Sequence, residues 1–407
     1  MVSRVLWPSG TTQIALEQFR HLLVRNCRAE LVFLRPGPGA SRVDLYGLKV
    51  RFVRQKLGLF GPLWGFLTNL AHGVPEKGWQ PADGALDLDS VARAVVAVLR
   101  LRPRAIICHD QFSGMVGLAC HYLQGVNYIT YLHESLYEDP TKDMVHLPSF
   151  GRLRVQRFAS LVDEFVLGHS AIVLTNSRGT LESLRRCGYV GRAEVLFPGA
   201  PVVRQQNVPS MSKDPFVLAV ATWDKARFPE KYMEVASKLN KGRLVLAGMW
   251  RYGYKKERDE FVRKIKLLGL EERLEVTGAI SQTELDSLFE RASVFLRFGF
   301  EEYGPGMGCL AALSWGLPVV ANRPLGITEV IRSGFNGVVL DSVDPTDAAA
   351  AIDRLLGDPN GLRNLRVNAK QTAKELSWTV HADLLSKFVD EAIMLRCPAC
   401  IRRARKS

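Results

Sequence analysis

The sequence lacks any apolar run of the roughly 20 residues that a membrane-crossing helix needs. Met1 leads into Val5-Leu6-Trp7 with no longer apolar stretch behind it, so no secretory leader is expected. Gly and Pro are scattered rather than clustered, which excludes fibrous and low-complexity classes. Cys397-Pro-Ala-Cys400 has the spacing of a metal or redox pair, but no second pair and no adjoining strand–helix unit supports it. Most of the other cysteines, such as Cys108 and Cys120, lie in apolar runs and read as small buried thiols of a reducing compartment. No Asp-x-Asp motif is placed for a divalent ion, and no nucleic-acid-binding signature is present. A cytoplasmic protein, peripheral on a membrane's cytoplasmic face at most, is the expectation.

What is present is a long, apolar-rich chain with a strong positive balance. Its 407 residues exceed what one hydrophobic core usually organises, so two domains are expected. A formal charge of +13 suits an anionic partner: a phosphorylated substrate or an anionic membrane face, with nucleic acid the weakest of the candidates.

Short apolar runs alternate with helical spacing along nearly the whole chain. In the first half, strands are predicted at 4–7, 30–34, 105–108, 128–132 and 171–175, with a helix over 11–26. In the second half, strands are predicted at 216–221, 244–248, 274–278, 294–297, 318–321 and 337–340. Helices are predicted around 230–239, 256–268, 283–292, 309–315 and 378–395. Strands alternating with helices imply βαβ units and parallel sheets. The expected domains are residues 1–199, a linker at 200–214, a second domain at 215–375, and a final helix with a basic tail at 376–407. That helix is expected to return to the first domain.

The most informative stretch runs from Glu301-Glu302 through Gly304, Gly306, Met307 and Gly308 into a helix and then Gly316-Leu-Pro-Val-Val. Glycines let backbone amides approach a ligand closely. A helix N-terminus adds unpaired N–H groups and a positive dipole end, which suits phosphate. Glu301 or Glu302 would accept hydrogen bonds from sugar hydroxyls beside it. An ordinary strand–loop–helix connection with solvated acids accounts for the same residues.

This stretch resembles the retaining glycosyltransferases of family 4 (glycosyl transferases group 1), whose GT-B fold has two Rossmann-like domains facing each other across a cleft. Further segments resemble the family in order. They are Tyr131-Leu-His133-Glu134, Thr175-Asn-Ser177, Phe197-Pro-Gly199, Val276-Thr-Gly278-Ala279-Ile280 and Pro324-Leu-Gly-Ile-Thr-Glu329. The resemblance implies that the first domain binds an acceptor and the second a nucleoside-diphosphate sugar, UDP- or GDP-linked. It implies that His133 reaches the donor sugar and that Gly278 and Ala279 line the nucleotide base. It also implies an Arg and a Lys for the leaving diphosphate: Lys231 fits the Lys, and Arg227 or Lys225 the Arg. Preorganised cations stabilise the charge that accumulates on a departing diphosphate, so no metal and no organic cofactor are expected. The family's second glutamate, which holds ribose hydroxyls, falls on Ala311 here.

His109-Asp110 is expected at a strand's carboxyl end, either touching a ligand or making a structural hydrogen bond. Residues 51–70 place Arg51, Arg54 and Lys56 beside Phe60, Trp64 and Phe66, which suits a membrane interface or a buried segment equally. The implied function is retaining hexosyl transfer to a glycan or lipid-linked acceptor. The alternatives are a catalytically weak or inactive sugar-nucleotide-binding protein and a sugar-nucleotide epimerase of the same architecture.

Overall fold

The computed structural model describes residues 1–6, 9–36, 40–53, 88–133, 164–203, 214–224, 227–250, 255–299, 304–323 and 326–395. The chain forms two compact units: Met1–Phe197 with His381–Ser407, and Pro198–Val380.

The first unit is built on a parallel sheet of order β3-β2-β1-β4-β5-β6-β7. Its strands are β1 (Val2–Leu6), β2 (Val32–Pro36), β3 (Arg51–Phe52), β4 (Ala105–His109), β5 (Asn127–Leu132), β6 (Ile172–Thr175) and β7 (Ala193–Val195). The helices α1 (Gly10–Val24), α2 (Leu88–Leu101), α3 (Gln111–Gln124) and α4 (Arg178–Arg186) connect them. The second unit repeats the plan with order β10-β9-β8-β11-β12-β13. These strands are β8 (Phe216–Val220), β9 (Arg243–Ala247), β10 (Leu274–Gly278), β11 (Val294–Arg297), β12 (Val319–Asn322) and β13 (Gly337–Leu340). Around them lie α5 (Pro229–Lys238), α6 (Lys255–Leu267), α7 (Gln282–Arg291), α8 (Met307–Ser314), α9 (Pro345–Gly357) and α10 (Pro359–Glu375). In each sheet the strand order reverses beside the first strand, between β1 and β4 and between β8 and β11. Ligands of such sheets bind at the carboxyl ends of the strands at that point.

Strand residues alternate between two cores. Val217, Ala219, Leu244, Leu246, Val294 and Leu296 feed one apolar layer, and Phe216, Leu218, Val245, Ala247 and Phe295 feed the other. A parallel sheet covered on both faces needs near-continuous apolar strands. That is why these runs are legible without any alternation of polarity.

The last helix, α11 (Trp378–Met394), starts in the second unit and ends in the first. Trp378 packs on Gly199, where a Cβ would lie 2.3 Å from the indole. Further along, His381 Nδ1 donates to the Phe197 carbonyl at 2.6 Å, and Gln18 Nε2 donates to His381 Nε2 at 2.9 Å. Asn127 Nδ2 donates to the carbonyls of Ala392 at 2.9 Å and Leu395 at 2.7 Å. These bonds tie the helix's length to the first unit.

The predicted strands at 274–278, 294–297 and 337–340 coincide with β10, β11 and β13. The first strand lies two residues earlier than its apolar run suggests, because ladder pairing of Val2 with Val32 and Cys108 sets its register. β3 and β7 have no apolar signature: Arg51 and Phe52 are exposed, and Glu194 sits mid-strand. Pairing with the neighbouring strand makes them β. His109 belongs to β4 itself and is fully buried, so it does not stand open after the strand.

Gly248, just after β9, has φ of +120°, and a Cβ there would lie 2.0 Å from the Ala221 carbonyl oxygen. Gly248→Ala is expected to cost at least about 2 kcal/mol, since backbone must move and the conformation is strained. Denaturant unfolding of the variant against wild type measures it; an unchanged midpoint would show that this turn yields freely.

Candidate functional site

In the second unit, the carboxyl ends of β8, β9 and β10 are laced together. Gly248 N–H donates to the Gly278 carbonyl at 3.1 Å, and Trp223 N–H donates to the Met249 carbonyl at 2.8 Å. Trp223 Nε1 donates to the Ala247 carbonyl at 3.0 Å, and the indole is fully buried. Trp223 is thus a core anchor, while Thr222 beside it is exposed. Gly278 is buried with φ of +70°, and Ala279 beside it is exposed.

Two helices begin at this switch point, and neither has a side-chain cap. α8 starts from Gly306, at φ 71° and ψ 125°, and α5 starts from Phe228, at φ 52° with Pro229 next. By contrast, α7, α9 and α10 are capped by Ser281, Asp344 and Asp358. An uncapped helix start leaves backbone donors for an external anion. The first turn of α8 also approaches β8 closely: a Cβ on Gly308 would lie 3.5 Å from the Val220 carbonyl oxygen. Gly304 and Met307 are half-buried, Gly306 is exposed, and Ala311 lies within α8, packed against the core. The helix begins two residues before the expected 309, because Gly306 serves as its cap.

Cations gather around Tyr232. Its phenol is fully buried and accepts from the Phe298 N–H at 2.7 Å, which fixes the backbone leaving β11. Burial raises the Tyr232 pKa, while Arg297 and Arg227 act in the opposite sense. Arg297, the last residue of β11, is only 9% exposed. Sequence reading passed over it, although a charge that ends the apolar run Val294-Phe-Leu-Arg297 is a visible signal. Asn322 was passed over too. At the end of β12 its Oδ1 accepts from the Gly299 N–H at 3.1 Å, and its Nδ2 donates to the Gly299 carbonyl at 2.8 Å. It clamps the entry to the acidic segment. Lys231 sits in the first turn of α5, partly exposed, with its Nζ 3.2 Å from both Glu234 carboxylate oxygens. Lys225, Glu301 and Glu302 lie outside the described residues.

In the first unit, two predicted segments meet. Asn176 Nδ2 donates to the His133 carbonyl at 2.6 Å, and Thr180 Oγ1 donates to Asn176 Oδ1 at 3.0 Å. His133 Nε2 lies 3.2 Å from His109 Nδ1, with the rings stacked at 16° between planes. Asp110 then turns the chain at φ 100°, and its carboxylate accepts from the Ser113 N–H at 2.7 Å to cap α3.

Two family models together span most of the chain. Residues 9–199 match the glycosyl transferase 4-like domain, and residues 204–375 match glycosyl transferases group 1. The chain belongs to the group 1 glycosyltransferases. Solved structures share the architecture end to end. HepE of Anabaena, solved with UDP and glucose, is 16% identical over 96% of this chain and 99% of its own, with a TM-score of 0.71. Sucrose-phosphate synthase of Thermosynechococcus elongatus is 17% identical over 96% of this chain and 98% of its own, with a TM-score of 0.72. At such identity they establish the GT-B fold alone. D-inositol 3-phosphate glycosyltransferase of Corynebacterium diphtheriae is 28% identical over 142 residues, 35% of this chain and 33% of the relative. The match thus spans about a third of that curated relative's length.

Two other expectations for this group 1 glycosyltransferase meet the structure only in part. In the basic aromatic segment, Arg51 is described: it is exposed on edge strand β3, and its Nε donates to Glu30 at 2.8 Å. Arg54, Lys56, Phe60, Trp64 and Phe66 lie outside the described residues. Among the described residues, no helix is long and apolar enough to cross a membrane.

Burial shapes the ionisation of the histidines. It holds His133 down to about 3 and His381 to about 4, and desolvation lowers His109 as well. A base with a depressed folded pKa stabilises the fold fully above its unfolded pKa, near 6.5. That stability is lost as pH falls toward the folded value. Each histidine then contributes a slope of up to about 1.4 kcal/mol per pH unit. Stability is expected to fall steeply from pH 6.5 to 4.5, and less steeply in His381→Gln. Urea unfolding at each pH tests this; equal slopes would remove His381 from the linkage.

Proposed function

We propose that the chain transfers a hexose from a nucleoside-diphosphate sugar, UDP- or GDP-linked, to an acceptor hydroxyl with retention at the anomeric carbon. The observation that carries this reading is the switch point between β8 and β11. There α5 and α8 start without side-chain caps, Arg297 and Arg227 act on Tyr232 of α5, Arg297 also acts on Cys309 in the first turn of α8, and Lys231 stands in the first turn of α5. Backbone donors with fixed side-chain cations suit a diphosphate that gains charge as its bond to the sugar breaks. HepE, solved with UDP and glucose, supports a uridine nucleotide as the first donor to try. Glu301 and Glu302 are assigned to sugar hydroxyls, Gly278 and Ala279 to the base, and His133 to the sugar. The side chains carry the cationic work in this reading, and no cofactor is assigned.

For the acceptor, the net charge of +13 favours a phosphorylated or otherwise anionic molecule, soluble or lipid-linked, held by the first unit. A relative named D-inositol 3-phosphate glycosyltransferase is consistent with such an acceptor. Nucleotide release from a panel of UDP-, GDP- and ADP-sugars tests the whole proposal. Absence of release with every donor would leave a binding protein, and release of an isomerised sugar nucleotide would make it an epimerase.

Two substitutions sharpen the test. Lys231 holds Glu234 in an exposed pair of little worth, so it is free to exchange that partner for phosphate. Lys231→Ala is expected to keep the fold and lose turnover by about 2–4 kcal/mol of transition-state stabilisation; near-normal kcat would shift the role to Arg227 or Arg297. Ala311→Glu is expected to tighten UDP or GDP in calorimetry by adding an acceptor for ribose hydroxyls. Unchanged affinity for both nucleotides would place the ribose elsewhere.

A further inference from the structure

His109 and His133 form a pair whose outer nitrogens are sealed in. His109 Nε2 and His133 Nδ1 are buried and have no hydrogen-bond partner among the described residues, while the inner nitrogens are 3.2 Å apart. His109 is fully buried at the end of β4, and His133 is less so, after β5. The edge of the Tyr131 ring packs against both, with centroids 5.9 Å and 4.9 Å away. A ring with a buried, unused nitrogen is costly unless something meets it.

We propose that His109 is a positioning residue for His133, locking it as a neutral hydrogen-bond donor toward a ligand hydroxyl. The inference rests on the reading above that His133 receives a sugar hydroxyl.

The argument is one of proton counting. Burial keeps both rings neutral, so each carries one N–H. The inner bond needs one N–H and one lone pair. If His109 Nδ1 donates, His133 Nε2 is bare and its proton sits on the outer Nδ1. If His133 Nε2 donates, the outer proton sits on His109 Nε2. Either way both rings share one tautomer, and only one outer nitrogen carries a proton. A buried orphan N–H is rarer than an unused acceptor. Both outer nitrogens are buried, but His109 lies within β4 as a fully buried residue while His133 stands beyond the end of β5 and is only half-buried. A ligand at the strands' carboxyl ends therefore meets His133, and the outer proton belongs there. Both rings are then Nδ1–H, and His133 offers a donor to the ligand. The His133 backbone cannot swing away, because Asn176 holds its carbonyl. His381, the third imidazole near Tyr131, is not part of the relay. Its two nitrogens are already used by Phe197 and Gln18.

Nitrogen-15 spectra of histidine-labelled protein test the inference without any donor. The expected result is one Nδ1–H tautomer for both rings at neutral pH. Opposite tautomers, or a shared Nε2–H form, would overturn it. His109→Phe is expected to leave His133 exchanging between tautomers and to lower donor turnover about tenfold. His109→Asn, whose amide can stand where Nδ1 stood, is expected to restore a single His133 tautomer and turnover to within about twofold. Equal losses in Phe and Asn variants that both fold would reduce His109 to a packing residue. Turnover is read with UDP-glucose, or with whichever panel donor gives the most release. Full turnover in His133→Ala would sink the sugar-contact reading itself, and with it the purpose of the pair. That outcome is distinct from a tautomer mismatch, which strikes the pairing alone.

Discussion

The first turn of α8 must lie against the end of β8, and the second unit is arranged around that approach. The Val220 carbonyl and the Phe295 ring sit 3.5 Å from where a Gly308 side chain would begin. A Cβ there would rest in van der Waals contact with both, and a side chain reaching farther would meet the sheet. Gly306, two residues back, takes a positive φ and caps the helix without a side-chain hydrogen bond. Both choices are locally unfavourable: glycine costs conformational entropy, and a glycine in place of a capping side chain forgoes a few tenths of a kcal/mol. Their combined effect is to leave backbone donors at the switch point. The neighbouring helices at the same sheet, capped by Ser281, Asp344 and Asp358, make no such concession.

The ends of the strands are rigid for related reasons. Tyr232 and Asn322 spend buried hydrogen bonds on Phe298 and Gly299, the two residues that lead out of β11. Neither side chain needs to touch a ligand to matter. Buried polar groups that are fully paired rigidify what they hold. Arg297 supplies charge at the same place, and its burial makes that charge less screened than the charge of an exposed lysine. The Trp223 indole knits the end of β8 to β9, and β11 brings the Arg297 guanidinium to the carboxyl edge of the same sheet.

How much of this was legible in the sequence differs by kind of signal. Buried parallel strands are apolar on both faces, so β8 to β13 stand out as runs, and the Gly-rich segment announces a backbone approach. The strands β3 and β7 were invisible because edge pairing with β2 and β6 makes them, not their own residues. Lys231 was singled out only through the resemblance, since periodicity says nothing of charge placement. Arg297, Tyr232 and Asn322 were passed over because they act through buried contacts with residues distant in sequence. The pairing of His109 with His133 spans 24 residues and depends on β4 lying beside β5. A list of motifs places the two histidines on successive strands without showing that their rings share a bond.

The same logic governs charge in the two units. In the second unit the groups proposed for the donor are the cations Arg227, Arg297 and Lys231. In the first unit they are imidazoles, kept neutral by burial. A sugar hydroxyl needs a directional donor, and a charged ring in a dry site would cost several kcal/mol to hold. A departing diphosphate needs charge, which a neutral ring cannot supply. In the proposed reaction this division assigns cations to the donor's phosphates and a neutral ring to its sugar. It also explains why the first unit stacks one histidine on another: a neutral ring defines its donor nitrogen only through what bonds to the other one.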